Sequence, residues 1–163
     1  MGPNKHDLIR ALKLQPHIEG GLFRRTFSSS SSVHRPSDQK KRLTLSSIYY
    51  LLTDDHRVSY MAENKSDIIR FFHSGSPITY YVVSPDGELT KFILGSDIHN
   101  GHVPQFATVG GSWLGAVLER GEYGLLSEAV APGFEYEDMK MVRREDVERK
   151  FPHLVDRIGH LLR

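Results

Sequence analysis

The stretch Lys65–Val83, KSDIIRFFHSGSPITYYVV, constrains the fold more than any other. Two short runs rich in aromatic and β-branched residues flank His73-Ser74-Gly75-Ser76-Pro77. Such residues suit a pleated surface, and Gly with Pro breaks the pattern between the runs. The expectation is a strand, a tight turn and a second strand. Pro85-Asp86-Gly87-Glu88 is a further turn signal, with a third strand at Leu89–Leu94. Other strands are expected at Leu22–Phe27, Leu43–Leu52, Arg57–Ala62, Gln105–Val109, Ser112–Leu118 and Tyr123–Val130. Short strands separated by frequent turns point to an all-β sandwich or jelly roll.

The flanks read differently. Asn4 can cap a short helix bearing Leu8, Ile9 and Leu12 on one side, ended by Pro16. Arg144–Lys150 and His153–Leu162 read as two short helices split by Pro152, with an apolar stripe of Leu154, Ile158, Leu161 and Leu162. The 163 residues suit one domain: a helix in 1–14, a barrel in 15–142 and helices in 143–163. Ser28–Ser32 opens a polar stretch reaching Lys41, which reads as a mobile loop whose His34, Arg35, Lys40, Lys41 and Arg42 could close over an anion.

Composition removes several function classes. With no cysteine, disulfides, thiolate metal sites and a cysteine nucleophile are excluded, and a reducing, cytoplasmic location is expected. No apolar run reaches the roughly 18 residues of a membrane span, and the polar start of the chain is unlike a secretory signal. The net charge of +1 conceals a basic first third: +6 in residues 1–50, −7 in 51–142 and +2 in 143–163. That is compatible with a solvated basic loop or with a small anionic partner. No basic helix or stacking platform for nucleic acid occurs, and neither Rossmann, P-loop nor Gly-x-Ser-x-Gly signatures are present.

Two local constellations carry chemistry. In QPHIEGGLFRRTF, Gly20-Gly21 permits backbone conformations closed to other residues, beside Glu19, Arg24 and Arg25. Arginine suits bidentate recognition of phosphate or carboxylate. Arg25 alone reads as an exposed charge on an edge strand. His99 and His102 have a spacing that can ligate zinc, but they lie in a turn-rich loop and a site needs a third ligand.

Several separated motifs, QPHIEGGLFRRTF, SSIYYLL, KSD followed by SG, VAPGFEYEDMK and REDVERKFP, resemble a cupin-like family first catalogued as a domain of unknown function, sometimes called cupin superfamily family five. The resemblance spans Leu8 to Leu162. It implies a double-stranded β-helix (jelly roll), usually a homodimer, related to the dTDP-sugar epimerases. It implies no reaction, since the family's activity is not settled.

Against that family's pattern, this chain lacks the usual metal ligands. The Glu slot holds Ile68, the early His slots fall near Met61–Glu63, and the later His slot holds Leu114. No metal and no cofactor is therefore expected. If the Glu slot points inward, strand alternation turns Arg70 inward too, where it needs an anion: Glu128, Glu63 or a ligand phosphate. The expected function is metal-free binding of an anionic small molecule, a nucleotide diphosphate or nucleotide-sugar. Expected contacts are Glu19, Gly20, Gly21, Arg24, Lys65, Ser66, Arg70, Gln105, Trp113 and Glu128. The alternatives are sugar epimerisation or isomerisation by proton transfer, with His17 or His73 as base and Tyr49 or Tyr81 as acid, and a non-catalytic interaction role.

Overall fold

The computed structural model describes residues 2–163. Thirteen strands run in chain order: β1 (Gln15–Pro16), β2 (Leu22–Ser28), β3 (Ser32–His34), β4 (Lys41–Leu43), β5 (Ser46–Thr53), β6 (Val58–Asn64), β7 (Asp67–Gly75), β8 (Ile78–Val83), β9 (Leu89–Leu94), β10 (Gln105–Thr108), β11 (Trp113–Val117), β12 (Tyr123–Ala131) and β13 (Met139–Met141). Two antiparallel sheets face each other, in the orders β1-β2-β5-β12-β7-β10 and β13-β6-β11-β8-β9. This is an all-β jelly roll. The meander expected at Lys65–Leu94 is present as β7, β8 and β9, but β7 and β8 belong to opposite sheets. The break at Ser76-Pro77 is thus a crossing between layers and not a hairpin.

Alternation along each strand sorts the apolar residues into three clusters. Tyr50, Leu52, Ile78, Tyr80, Leu114 and Leu126 fill the space between the sheets. On the outer face of the second sheet, Met61, Val83 and Trp113 are covered by α2 (Arg144–Lys150), α3 (Val155–Ile158) and the turns around them, through Val147, Leu154, Ile158 and Leu161. On the outer face of the first sheet, Leu22, Leu51 and Leu125 are covered by Leu8 and Leu14 from α1 (Lys5–Ala11) and its exit. Asn4 accepts a hydrogen bond from the Asp7 amide and Asp7 returns one, closing a capping box. Lys5 holds the helix to both carboxylates of the Asp54-Asp55 turn.

The loop expected over Ser28–Lys41 is instead a β3–β4 hairpin, and its arginines are not free for a ligand. Arg35 and Arg42, 2 % and 8 % exposed, both bond the buried Asp138 carboxylate, at 2.8 and 2.7 Å. Burial alone would raise Asp138, but the bonds from Arg42 and Arg35 hold it well below the usual carboxylate range. The strand expected at Leu43–Leu52 is divided accordingly, with Lys41–Leu43 in the hairpin and Ser46–Thr53 in the large sheet.

Candidate functional site

A cavity of about 350 Å³ opens between the two sheets. One wall comes from the β1–β2 turn, with His17 and Glu19, and from Phe23 and Arg25 of β2. The floor is made by Arg70 of β7, Glu128 of β12, Thr108 of β10, and Asn64 and Ser66 at the end of β6. Phe134, Glu135 and Tyr136, after β12, form the lip.

Register explains the floor. Arg70 lies directly opposite Glu128 on one side and Phe106 on the other. Cross-strand neighbours on one face interact directly. The guanidinium, 3 % exposed, donates from Nε to Glu128 Oε1 at 3.2 Å and from Nη1 to Thr108 Oγ1 at 3.1 Å. It lies over the Tyr80 and Phe106 rings, 5.6 Å from each centroid. Two of its five N–H donors are thereby engaged. Of the partners expected for Arg70, Glu128 is the one; Glu63 points outward and accepts from Trp113 Nε1 at 2.7 Å.

The β1–β2 turn is shaped by a close approach of backbone. A Cβ on Gly20, at φ +105°, would stand 2.2 Å from the Val58 carbonyl oxygen, so no other residue fits without moving β6. The turn is tied down by Tyr60 N–H donating to Glu19 O at 2.7 Å and by Tyr50 Oη donating to Gly20 O at 2.5 Å. Gly20 and Gly21 therefore position Glu19 and do not line the cavity themselves. The Glu19 amide donates to His17 Nδ1 at 3.1 Å, which leaves the imidazole neutral with its proton on Nε2. Burial lowers the His17 pKa, against a smaller opposing pull from Glu128.

The Glu19 carboxyl has no hydrogen-bond partner among the described residues, and its side chain is 15 % exposed. Burial, with the Glu128 carboxylate adding to it and Arg70 opposing, pushes its pKa up to about 8. Glu19 is thus mostly protonated at neutral pH. Asn64 Oδ1 and Ser66 Oγ are also buried without a partner among the described residues.

Of the residues expected at a site, the cavity brings together His17, Glu19, Ser66, Arg70 and Glu128. The others lie elsewhere. Arg24 and Tyr49 sit side by side on the outer face of the first sheet, with the guanidinium 5.7 Å from the ring, and His73 bonds Ser127 on that face at 2.8 Å. Gln105 is exposed on the edge strand β10, and Lys65 is exposed 3.6 Å from Asp38. Trp113 and Tyr81 belong to the outer face of the second sheet, packed on Phe151 and His160. Arg25, read from sequence as a bare surface charge, lines the cavity and donates to Phe134 O at 2.8 Å. The phase of β2 decides between the two arginines: Phe23 and Arg25 share the inner face with Tyr50 and Ile48, and Arg24 alternates away. Sequence reasoning also missed Asn64, Thr108 and the aromatic lip, where His17 meets Phe23 edge-on at 4.7 Å and Phe134 meets Tyr136 at 5.1 Å.

A profile described as Cupin superfamily (DUF985) matches residues 6–142. The chain belongs to that family. It is 34 % identical to the uncharacterised protein YML079W of Saccharomyces cerevisiae over 161 residues, covering 91 % of this chain and 78 % of the yeast protein. The structure of protein SO0799 from Shewanella oneidensis superposes with a TM-score of 0.87 at 33 % identity, covering 99 % of each chain. A hypothetical protein from Leishmania major shares the fold, with a TM-score of 0.92 at 23 % identity over 98 % of this chain and 99 % of that one.

Cupins commonly hold a metal at the slots named above, and the donor set of this cupin does not fit one. Its inward-facing residues there are Ala62, Ile68 and Leu114, all hydrocarbon. Among the described residues, no three His, Asp or Glu side chains converge as metal ligands. His99 and His102 stand in an exposed loop, where His102 Nδ1 accepts from the Asp97 amide. Among the described residues, no helix is long and apolar enough to cross a membrane.

Proposed function

We propose that this cupin binds an anionic, sugar-bearing small molecule, a nucleotide diphosphate or nucleotide-sugar, without a metal. The observation that carries the reading is the convergence of polar groups without partners among the described residues on one cavity: the Glu19 carboxyl on its wall, and Asn64 Oδ1, Ser66 Oγ and the unused N–H groups of Arg70 on its floor. Buried polar groups ordinarily find partners, and those left over in a concave site are the ones a ligand satisfies.

Charge decides which part of the ligand goes where. Arg70 is already neutralised by Glu128, and Glu19 is mostly uncharged at pH 7, so the floor is close to neutral. A hydroxyl-rich ring suits it better than a phosphate, which would enter next to Glu128 without a free counter-charge. The anionic portion belongs at the mouth, near Arg25, with a planar ring against Phe23, Phe134 or Tyr136. The volume, near the lower end of the roughly 300–1,000 Å³ of small-molecule sites, suits a sugar with part of its phosphate. The rest of a nucleotide-sugar would continue into the adjoining trough of Ser32, Lys41 and Arg42, which shares Glu135 and Tyr136 with the cavity.

A thermal-shift panel of UDP, UDP-glucose, glucose 1-phosphate and UMP tests this, since a ligand of the folded state raises its melting temperature by mass action. Stabilisation by UDP-glucose that is lost in Ser66→Val is the expected result. No shift with any of the four at millimolar concentration refutes the reading.

A further inference from the structure

We propose that Glu19 is the general base of a cofactor-free proton transfer in this cavity, acting on a carbon next to a carbonyl of a sugar-class ligand, with Arg70 receiving the charge that develops on the carbonyl oxygen. The inference rests on the binding reading above and adds a reaction to it.

Each of the other titratable groups around the cavity is engaged by a neighbour, unable to accept a proton at physiological pH, or exposed. On the β1–β2 turn, His17 Nδ1 is occupied by the Glu19 amide. On β5, the Tyr50 hydroxyl donates to Gly20 O, and burial raises its pKa well above the ordinary value. On β8, burial likewise raises the Tyr80 hydroxyl, beside Arg70. On β12, Glu128 is engaged by Arg70; at the mouth Arg25 is engaged by the Phe134 carbonyl, and Glu135 and Tyr136 stand exposed to solvent. Glu19 remains: a carboxyl on a turn tied down through its backbone, lining the cavity 4.0 Å from His17 Nδ1 and with no hydrogen-bond partner among the described residues. Burial and Glu128 make it a far stronger base than an ordinary carboxylate, with a pKa of about 8, near the optimum for proton transfer at physiological pH.

The step needs no co-reactant. The Glu19 carboxylate takes the proton from the carbon. The C–H electron pair becomes the carbon–carbon π bond, and the carbonyl π pair moves onto oxygen, facing the N–H donors of Arg70 that Glu128 and Thr108 leave unused. Return of the proton from the Glu19 carboxyl to the former carbonyl carbon on the same face, while the proton of the adjacent hydroxyl passes to the enolate oxygen, completes an isomerisation in which carbonyl and hydroxyl exchange places.

Because the natural ligand is not identified, the test uses 5-nitrobenzisoxazole, whose C–H bond is broken by a carboxylate as its N–O bond opens to a coloured phenolate nitrile. The wild-type protein is expected to accelerate this reaction, with a rate that rises with pH around a midpoint near 8. Glu19→Gln is expected to lower the rate at least about a hundredfold, and Glu19→Asp to recover part of it. UDP-glucose binding is measured by calorimetry on the same three proteins. Absence of acceleration, or a rate that survives Glu19→Gln, overturns the assignment of Glu19. Acceleration without any UDP-glucose binding instead overturns the ligand class on which it rests.

Discussion

Replacing Glu19 by Gln should change how the protein's stability depends on pH, and the size of the change can be worked out. In the unfolded chain Glu19 titrates near 4.5; in the fold it titrates near 8. Between these values the folded state keeps a proton that the unfolded state has lost. Stability from this group is therefore complete below about pH 4.5 and is lost as pH rises through 8. Each unit costs about 1.4 kcal/mol, which integrates to about 4 kcal/mol between pH 5 and pH 9. Gln resembles the protonated acid in shape and cannot ionise, so the variant escapes this loss. Relative to wild type, Glu19→Gln should be nearly neutral at pH 5 and more stable by about 4 kcal/mol at pH 9. For a chain of this size that is roughly 8–16 °C in melting temperature. Urea denaturation of both proteins at half-unit pH intervals measures it. Stability curves that stay parallel, with a gap changing by under about 1 kcal/mol across the range, would show that Glu19 ionises normally.

Other expected outcomes follow from particular contacts. Asp138→Ala leaves the guanidinium groups of Arg35 and Arg42 buried without their shared carboxylate and should cost about 3–5 kcal/mol in urea denaturation. Gly20→Ala forces a Cβ against the Val58 carbonyl and should lose several kcal/mol or fail to fold, whereas Gly101→Ala, with open space at its Cβ, should fold with a penalty of about 1 kcal/mol from its positive φ alone. Arg25→Ala should weaken UDP-glucose binding and flatten its salt dependence, and Arg24→Ala on the opposite face should leave both unchanged in calorimetry. Purified protein should carry less than stoichiometric Fe, Mn, Ni and Zn by elemental analysis, and EDTA should leave its melting temperature unchanged, because Ala62, Ile68 and Leu114 supply no donor atoms.

Much of the architecture was legible because it depends on local chemistry. The β-branched runs, the Pro-Asp-Gly turn, the Asn4 cap and the apolar stripe of the last helices each state their own conformation within a few residues. The inward direction of Arg70 could be read from its two-residue spacing from Ile68, once that position was taken to face the interior. What sequence could not supply was phase. Arg24 and Arg25 are chemically equal neighbours, and which one enters the cavity depends on how β2 pairs with β5. The same holds for the basic stretch Arg35–Arg42: its two arginines looked free until Asp138, about a hundred residues away, was brought beneath them. Glu19 is the extreme case. Its position beside two glycines was visible in the chain, but its proton is a property of the fold. The desolvation that raises its pKa comes from packing, and the carboxylate and guanidinium that adjust it come from β12 and β7. Sequence determines which groups a site can contain. Tertiary structure decides which of them are removed from water together, and removal from water is what sets their charge.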